Sequence, residues 1–231
     1  MQHQIKSKNK KSIDWTFDYT AIEDIKFKVD NKNRVITKRM NSYYTKEPKT
    51  LEWINSFEPN SVLVDIGANI GVYTMYAAKR GHTVYAYEPQ AQNFSELMIN
   101  IYLNGFSDNV HAYPFAIMDE NSIGKMSLLS VVPGQSHNDY NIDDGRFKQG
   151  VAAFTLDHLD VAPNHIKIDV DGLEAKVLQG MPKTLEKTES VLIEVTNKDE
   201  LKPLLDLGFK IDESMTYQLS RKETNYVLRK S

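Results

Sequence analysis

The sequence predicts an α/β fold in which a mostly parallel sheet carries helices on both faces. Short apolar runs rich in β-branched residues recur along the chain, for example at residues 62–64 and 83–87. Such runs are typical of strands that are covered on both faces. Segments with helical spacing lie between them, the first at residues 72–79. This alternation of strand and helix is the pattern of a parallel sheet built from βαβ units.

Residues 62–71 are predicted to form a strand, a glycine turn and the start of a helix. Asp65 ends the apolar run, and Ala68 and Asn69 follow in the turn. Gly67 and Gly71 have no Cβ atom, so that a ligand can approach the main chain there. The amide groups that open the following helix are predicted to form a polar cradle for a small molecule.

Two common nucleotide-binding fingerprints do not fit this turn. The pattern G-x-G-x-x-G requires three glycines, whereas the chain from Gly67 reads Gly-Ala-Asn-Ile-Gly-Val and lacks two of them. No G-x-x-x-x-G-K-[ST] motif occurs in the sequence. We therefore do not expect nucleoside triphosphate hydrolysis.

An acidic residue stands at the end of the second predicted strand. Glu88 follows residues 83–87 and lies 17 positions after Gly71, a distance that fits one βαβ unit. At this place in an open α/β sheet, a carboxylate accepts hydrogen bonds from the two hydroxyls of a ribose. The sequence therefore predicts a ligand that carries a nucleoside.

A set of short motifs resembles one known family. Their order and spacing are similar to those of the FkbM family of S-adenosylmethionine-dependent methyltransferases, over roughly residues 51–195. Asp171 departs from the pattern, because the family often has glutamate there. The first 50 residues and residues 121–150 match little, so acceptor selection by them cannot be carried over. The motifs are residues 65–71, Tyr73, Thr74, Glu88, Pro89, Phe94, Leu97, Asn100, Asn104, residues 155–157 and residues 166–174.

The resemblance implies a Rossmann-like class I methyltransferase fold with S-adenosyl-L-methionine as the methyl donor. Its sheet would have seven mostly parallel strands, with an antiparallel last strand. Phe115 and Ala116, just beyond the third strand, are candidates for the adenine wall, although Phe115 fits the core equally well. The predicted donor-binding residues are Asp65, Gly67, Ala68, Asn69, Gly71, Thr74, Glu88, Phe115 and Ala116.

Composition fits an ordinary enzyme with a single main core. The 231 residues are 41% hydrophobic and 26% charged, with a net charge of −3. This balance provides no overall attraction to nucleic acid or to an anionic membrane, so we expect neither as a partner. The absence of cysteine excludes disulfides, and the lysine-rich lead lacks the apolar segment of a secretory signal. We therefore expect a cytoplasmic protein; the sequence does not indicate its oligomeric state.

We expect residues 1–50 to form a lead and an accessory hairpin, and residues 51–231 to form the methyltransferase domain. The hairpin is predicted at residues 27–36 around a turn at 30–33, and Thr50 is predicted to cap the helix that follows. Tyr43 and Tyr44 are more consistent with packing than with lining a pocket. The later predicted helices are residues 90–103, 155–159, 173–180 and 198–207, and the later strands are residues 109–113, 125–132, 165–170, 190–194, 208–212 and 225–229.

Residues 119–154 are predicted to be an acceptor-recognition insertion. Residues 151–154 are expected to pair with the strand at 125–132, and the polar stretch between them is typical of a recognition loop or lid. His137 is a candidate general base there, but a lone loop histidine is more often a bystander. The other polar residues of this stretch are Asp139, Tyr140, Asp143, Asp144 and Arg146.

The strand at residues 165–170 is the second predicted chemical centre. Alternation places Lys167, Asp169 and Asp171 on one side, where Lys167 and Asp169 are expected to offset each other's charge. Asp169 and Asp171 emerge beside the loop after Asp65, in the crevice where open sheets bind ligands. Glu194 ends the next strand. Glu174, at the start of a helix, is explained about equally well by the helix dipole and by a functional role.

These residues predict methyl transfer, most readily to a hydroxyl oxygen of a sugar, glycan or small metabolite. Asp169 is the first choice for the base that removes the hydroxyl proton, followed by Lys167, Asp171 and Glu194. A divalent metal held by Asp169 and Asp171 is a lesser alternative, because no third ligand is identifiable. N-methylation and a non-catalytic binding module with the same fold also remain open.

Overall fold

A computed structural model describes residues 17–30, 32–135, 138–140, 147–220 and 223–230, with the backbone alone at 138–140. The strands are β1 Tyr19–Ile22, β2 Ile25–Lys28, β3 Val62–Ile66, β4 Thr83–Tyr87, β5 Val110–Tyr113, β6 Ala116–Ile117, β7 Ser122–Leu128, β8 Asn138–Tyr140, β9 Phe147–Phe154, β10 His165–Ile168, β11 Ser190–Val195, β12 Phe209–Ile211, β13 Tyr217–Gln218 and β14 Thr224–Lys230. The α-helices are α1 Arg34–Asn41, α2 Pro48–Asn55, α3 Val72–Lys79, α4 Ala91–Asn104, α5 Glu174–Gln179, α6 Pro182–Lys187 and α7 Lys202–Asp206, with 3₁₀ helices at Leu156–His158 and Lys198–Leu201.

The main sheet has the order β12-β14-β11-β10-β3-β4-β5, and the short strand β13 adds to β14. β14 runs antiparallel to both of its long neighbours, while β11, β10, β3, β4 and β5 pair in parallel. The predicted seven-stranded sheet with an antiparallel last strand is thus confirmed, with β13 as an unpredicted eighth strand. Chain order reverses between β3 and β10, which makes this the point where open α/β sheets bind ligands.

Both faces of the sheet are covered by apolar side chains. Leu63 belongs to one core with Trp53 and Leu97, whereas its neighbour Val64 belongs to the other core with Leu178. Because successive side chains of a strand point to opposite faces, this division explains why β3 is apolar throughout. In the described part of the chain, no helix combines the length and apolar character needed to cross a membrane.

The predicted hairpin at residues 27–36 is wrong in its placement. The hairpin is formed by β1 and β2, and its turn contains Glu23 and Asp24, both with positive φ. Residues assigned to its second arm begin α1, because the Asn33 side chain accepts hydrogen bonds from the amides of Val35 and Ile36. An asparagine that caps a helix and one that makes a turn look alike in sequence.

The predicted cap of α2 is also wrong. Glu47 precedes the helix and Pro48 occupies its first turn, a position where proline fits because its missing amide is not needed. Thr50 lies inside the helix, and its hydroxyl is 2.9 Å from that of Tyr217. Tyr43 is buried against Phe27, as its expected packing role requires.

Two asparagines of α4 bind the hairpin through its backbone. Asn104 accepts a hydrogen bond from the Lys26 amide and donates one to the Lys26 carbonyl, both at 2.7 Å. Asn100 accepts from the Lys28 amide and donates to the carbonyl of Ile70, both at 2.8 Å. Asn100 and Asn104, two of the motif residues, therefore serve to bind backbone.

A second sheet, of order β6-β9-β7-β8, is built largely from the predicted insertion. β7 and β9 pair antiparallel, so the two predicted strands are partners, but the predicted register is wrong: residues 151–153 pair with residues 122–124, and residues 125–128 pair with residues 147–150. The role of this sheet in acceptor recognition stays a prediction. His137, Asp143, Asp144 and Arg146 lie outside the described residues, and only the backbone of Asp139 and Tyr140 is described.

Candidate active site

A cavity of about 540 Å³ lies beyond the carboxyl ends of β3, β4, β10 and β11. This volume is within the range of small-molecule sites, and the position is the reversal point of the sheet. The cavity is lined by Arg39, Thr45, Lys46, Ile66, Gly67, Asn69, Tyr87, Glu88, Pro89, Asn93, Phe115, Ala116, Ile117, Met118, Met126, Asp169, Val170, Asp171, Leu173, Glu194, Leu219 and Glu223.

The predicted site residues divide into those that line the cavity and those behind its wall. The lining set is Gly67, Asn69, Glu88, Phe115, Ala116, Asp169, Asp171 and Glu194. The set that does not line it is Asp65, Ala68, Gly71, Thr74 and Lys167, and each of these is buried. Their direct contact with a ligand therefore has no support from the cavity geometry.

The glycines of the turn are required by protein packing. A Cβ atom on Gly67 would lie 1.9 Å from the carbonyl oxygen of Asp169, and one on Gly71 would lie 2.5 Å from Leu97. Both residues also have φ near +80°, which favours glycine. The amides of Gly67 and Ala68 both donate to the Tyr87 carbonyl, so they hold β3 against β4.

Glu88 is a buried carboxylate whose position is fixed by two backbone amides. Its Oε2 accepts from the amide of Asn69 at 2.7 Å, and its Oε1 accepts from the amide of Gln90 at 2.8 Å. Burial raises the pKa of Glu88 to about 7, although these two bonds oppose the rise; Asp171 and Asp65 add to it. Each carboxylate oxygen has a second lone pair with which to accept a ligand hydroxyl.

Asp65 and Thr74 form a closed pair beneath the cavity. The Thr74 hydroxyl donates to Oδ2 of Asp65 at 2.6 Å, and both side chains are buried. Burial raises the pKa of Asp65, while the Lys167 charge and this hydrogen bond oppose the rise. Thr74 therefore orients Asp65, and the pair joins β3 to α3.

Lys167 and Asp169 form the predicted ion pair. Nζ of Lys167 lies 3.0 Å from Oδ2 of Asp169 and 3.9 Å from Oδ1 of Asp65. Burial lowers the pKa of Lys167, but the two carboxylates outweigh it and raise the pKa above its usual value. Burial likewise raises the pKa of Asp169, but the charges of Lys167, Lys46 and Arg39 and the hydrogen bond from Lys167 together outweigh it and lower the pKa. Both groups are therefore charged at neutral pH.

The pKa of Glu194 is shifted upward, in the opposite direction to that of Asp169. It lies on β11 beside β10 and lines the cavity with Asp169. Burial and then the negative charge of Asp169 raise the pKa of Glu194 to about 8, with Lys167 opposing. The proton affinity of Glu194 is therefore closer than that of Asp169 to the affinity of a base working near neutral pH.

Glu174 shapes the loop after β10. Its Oε1 accepts from the amides of Val170 at 3.3 Å and Gly172 at 3.1 Å. The backbone there is unusual, because Asp171 and Gly172 both have positive φ. Glu174 thus stabilises the turn that carries Asp171, and this role accounts for it without ligand contact.

Phe115 lies at the cavity wall and packs against other aromatic rings. It lines the cavity, and its ring lies 5.4 Å from Tyr87 and 4.9 Å from Phe154. These contacts hold the ring in place at the cavity wall, which is the arrangement that an adenine-stacking surface needs.

Several lining residues were missed by sequence reasoning. Arg39, Thr45 and Lys46 come from the accessory segment, and Leu219 and Glu223 come from the chain between β13 and β14. Asn93 also lines the cavity, and its Oδ1 accepts from the amide of Gly134 at 2.8 Å. In the described parts of the chain, no group of three or more His, Cys, Asp or Glu residues could hold a metal ion.

Comparison with known proteins identifies the same family as the sequence motifs. A profile of the methyltransferase FkbM domain matches residues 65–219. The chain belongs to the FkbM methyltransferase family. The predicted family is thereby confirmed.

Two curated proteins that are named as methyltransferases are similar to this chain. Methyltransferase 1 of Beauveria bassiana is 27% identical over 150 residues, which cover 54% of this chain and 60% of the relative. The hexuronic acid methyltransferase AglP of Haloferax volcanii is 24% identical over 150 residues, which cover 60% of this chain and 57% of the relative. The similarity thus spans less than two thirds of either relative.

Solved structures agree in fold. The magnesium protoporphyrin IX methyltransferase of Synechocystis, solved with bound SAM, superposes with a TM-score of 0.56 at 13% sequence identity. The superposition covers 88% of this chain and 86% of the Synechocystis chain. The M. jannaschii tRNA m1G37 methyltransferase has a TM-score of 0.52 at 12% sequence identity, and the superposition covers 93% of this chain and 57% of that chain. The predicted class I fold is confirmed. The expectation of no nucleic-acid partner stays a prediction.

Proposed function

We propose that the protein transfers the methyl group of S-adenosylmethionine to an oxygen of a sugar, glycan or small metabolite. The observation that carries this proposal is Glu88. Its carboxylate is buried at the tip of β4, fixed by two amides and directed at a cavity of about 540 Å³. A carboxylate held in this way is suited to the paired hydroxyls of a ribose.

The residues around the cavity fit the donor. Glu88 would bind the ribose, Phe115 and Tyr87 offer aromatic surface to the adenine, and Asp169 and Asp171 supply negative charge for a cationic ligand. When bound, S-adenosylmethionine supplies a methyl group on a positively charged sulfur, which departs as a neutral thioether.

Glu194 is the base that we place first. As the acceptor oxygen forms its bond to the methyl carbon and the carbon–sulfur bond breaks, the hydroxyl proton must go to a group of matched proton affinity. Asp169 is held ionised by Lys167 and is a weaker base for this reason. We assign Asp169 to orienting the acceptor hydroxyl and Lys167 to fixing the charge of Asp169.

A sugar acceptor is supported by one relative. AglP is named as a hexuronic acid methyltransferase, and the similarity extends over 60% of this chain. The second sheet borders the cavity through Ile117 and Met126, which supports a role for this sheet in acceptor contact.

The test is donor turnover over a panel of sugars. The purified protein is incubated with S-adenosylmethionine and matched hexosides, and release of S-adenosylhomocysteine and the methylated product are measured by mass spectrometry. We expect release only when a hydroxylated acceptor is present. Donor binding by calorimetry without release from any acceptor would favour the non-catalytic module. Turnover that persists in excess EDTA would remove the metal alternative.

A further inference from the structure

Two basic side chains reach a cavity that is otherwise lined by acids. Among the described residues of the lining, Arg39 and Lys46 carry positive charge, whereas Glu88, Asp169, Asp171, Glu194 and Glu223 are acidic. Arg39 belongs to α1, and Lys46 lies just before α2. Both precede the family match, which begins at residue 65. They therefore lie outside the segment that matches the family, in a part of the chain that can determine the substrate specificity of this protein.

Arg39 and Lys46 line the same cavity as Asp169 and are near enough for their charges to act on it. The charges of Lys46 and Arg39 both help to hold the pKa of Asp169 below its usual value. By contrast, the neighbouring charges that act most on Glu88, at the predicted ribose end, are those of Asp171 and Asp65. The positive charge is thus concentrated near the catalytic acids, where an acceptor must lie to meet the methyl group.

Each cation is held in place by the protein. Nε of Arg39 donates to the carbonyl of Gly134, which uses one of the five N–H donors of the guanidinium. Nζ of Lys46 lies 3.0 Å from Oε1 of the buried Glu47. The side chain of Lys46 is nevertheless 44% exposed, so this end of the cavity is open to solvent. An acceptor would enter there.

We propose that Arg39 and Lys46 form a subsite for a carboxylate group of the acceptor, so that the substrate is an acidic sugar. This inference rests on the proposed function and adds the substrate class. An arginine fork and a lysine ammonium together match a carboxylate. A monoanion is favoured over a phosphate dianion, because the ionised carboxylate of Asp169 in the lining repels added negative charge.

The experiment compares acceptors that differ in one carboxylate. Methyl glycosides of glucuronate and galacturonate are tested against the methyl glycosides of glucose and galactose. We expect kcat/KM for the uronates to exceed that for the neutral sugars by about tenfold or more, the value of one charge-assisted hydrogen bond. Arg39→Gln and Lys46→Gln should each raise KM for the uronates by about tenfold more than they raise KM for the neutral sugars.

Lys38→Gln is the matched control, because Lys38 neighbours Arg39 on α1, is exposed and does not line the cavity. Binding of S-adenosylhomocysteine is measured for every variant, and we expect its Kd to stay within about twofold of the wild-type value. A large rise in this Kd for Arg39→Gln would overturn the proposal, since the cations would then hold the carboxylate of the donor. Equal turnover of uronates and neutral sugars would overturn it too.

Direct binding of the uronates separates this inference from the proposed function. Saturation-transfer NMR is recorded for each uronate with the wild-type protein, with and without S-adenosylhomocysteine. Binding that Arg39→Gln and Lys46→Gln abolish supports the subsite even if no methyl transfer occurs, a result that would contradict only the proposed function. Absence of uronate binding, or binding that both variants retain, contradicts the subsite.

Discussion

Nζ of Lys167, on strand β10, lies 3.0 Å from the carboxylate of Asp169, which lines the cavity. The side chain of Lys167 is 2% exposed, whereas that of Asp169 is 29% exposed. The lysine is thus enclosed between Asp169 at the cavity and Asp65 beneath it. Removing the cation would leave two carboxylates close together and without compensation.

Lys167→Met should destabilise the protein strongly. Loss of one partner from a buried ion pair costs about 3–5 kcal/mol of unfolding free energy, because the remaining charge stays buried. Urea unfolding followed by circular dichroism measures the change. Lys202→Met, at a lysine whose side chain is 75% exposed, is the control and should shift the free energy by no more than about 0.5 kcal/mol. A loss below about 1 kcal/mol for Lys167→Met would contradict a buried charged pair.

Glu194→Gln should lower kcat by about 10²- to 10⁴-fold, the usual contribution of a general base, and leave donor binding unchanged. Since a base must be deprotonated and the pKa of Glu194 is raised to about 8, wild-type kcat/KM should rise with pH and level off above pH 8. The variant should lose this limb of the profile. If Asp169→Asn abolishes the limb and Glu194→Gln retains it, Asp169 is the base instead.

Glu88→Gln should weaken binding of S-adenosylhomocysteine by about 10- to 100-fold, because two charge-assisted bonds to the ribose become neutral ones. Calorimetry at pH 8, where Glu88 is mostly ionised, gives the Kd. Glu120→Gln, at an exposed glutamate outside the cavity lining, is the control. Unchanged donor affinity in Glu88→Gln would remove the ribose assignment and, with it, the main support for the proposed function.

The same carboxyl group makes stability depend on pH. The pKa of Glu88 is raised from 4.5 to about 7, so the folded protein binds this proton more tightly than the unfolded chain. The stabilisation is therefore fully present below pH 4.5 and is lost as pH rises to 7, by roughly 3 kcal/mol. Urea unfolding of the ligand-free protein at pH 5 and pH 8 measures it. The decrease between these pH values should be smaller in Glu88→Gln by a similar amount.

Asn104→Ala should loosen the accessory hairpin without affecting donor binding. Both backbone groups of Lys26 would lose their side-chain partner, at a cost of about 1–3 kcal/mol. Hydrogen exchange in β2 should become faster, while exchange in β3 stays slow. Asn41→Ala, at an exposed asparagine, is the control. A loss of donor affinity in Asn104→Ala would argue against a purely structural role.

The sequence determined the architecture around the cavity because the signals there are local. The helix at 72–79 and the strand at 83–87 were predicted with the bounds that the structure has, since apolar periodicity depends on neighbouring residues. The placement of Glu88 at the cavity followed from strand order in one βαβ unit. The hairpin at 27–36 failed, because Asn33 caps a helix and its side-chain bonds resemble those of a turn.

Tertiary structure alone decided which groups meet and how they are charged. Arg39 and Lys46 precede Asp169 by more than a hundred residues, and nothing local indicates that α1 and the following turn reach the cavity. Nor can spacing rank Asp169 against Glu194 as a base. A pKa depends on burial and on charges brought together from distant strands, and these are set only when the sheet is assembled.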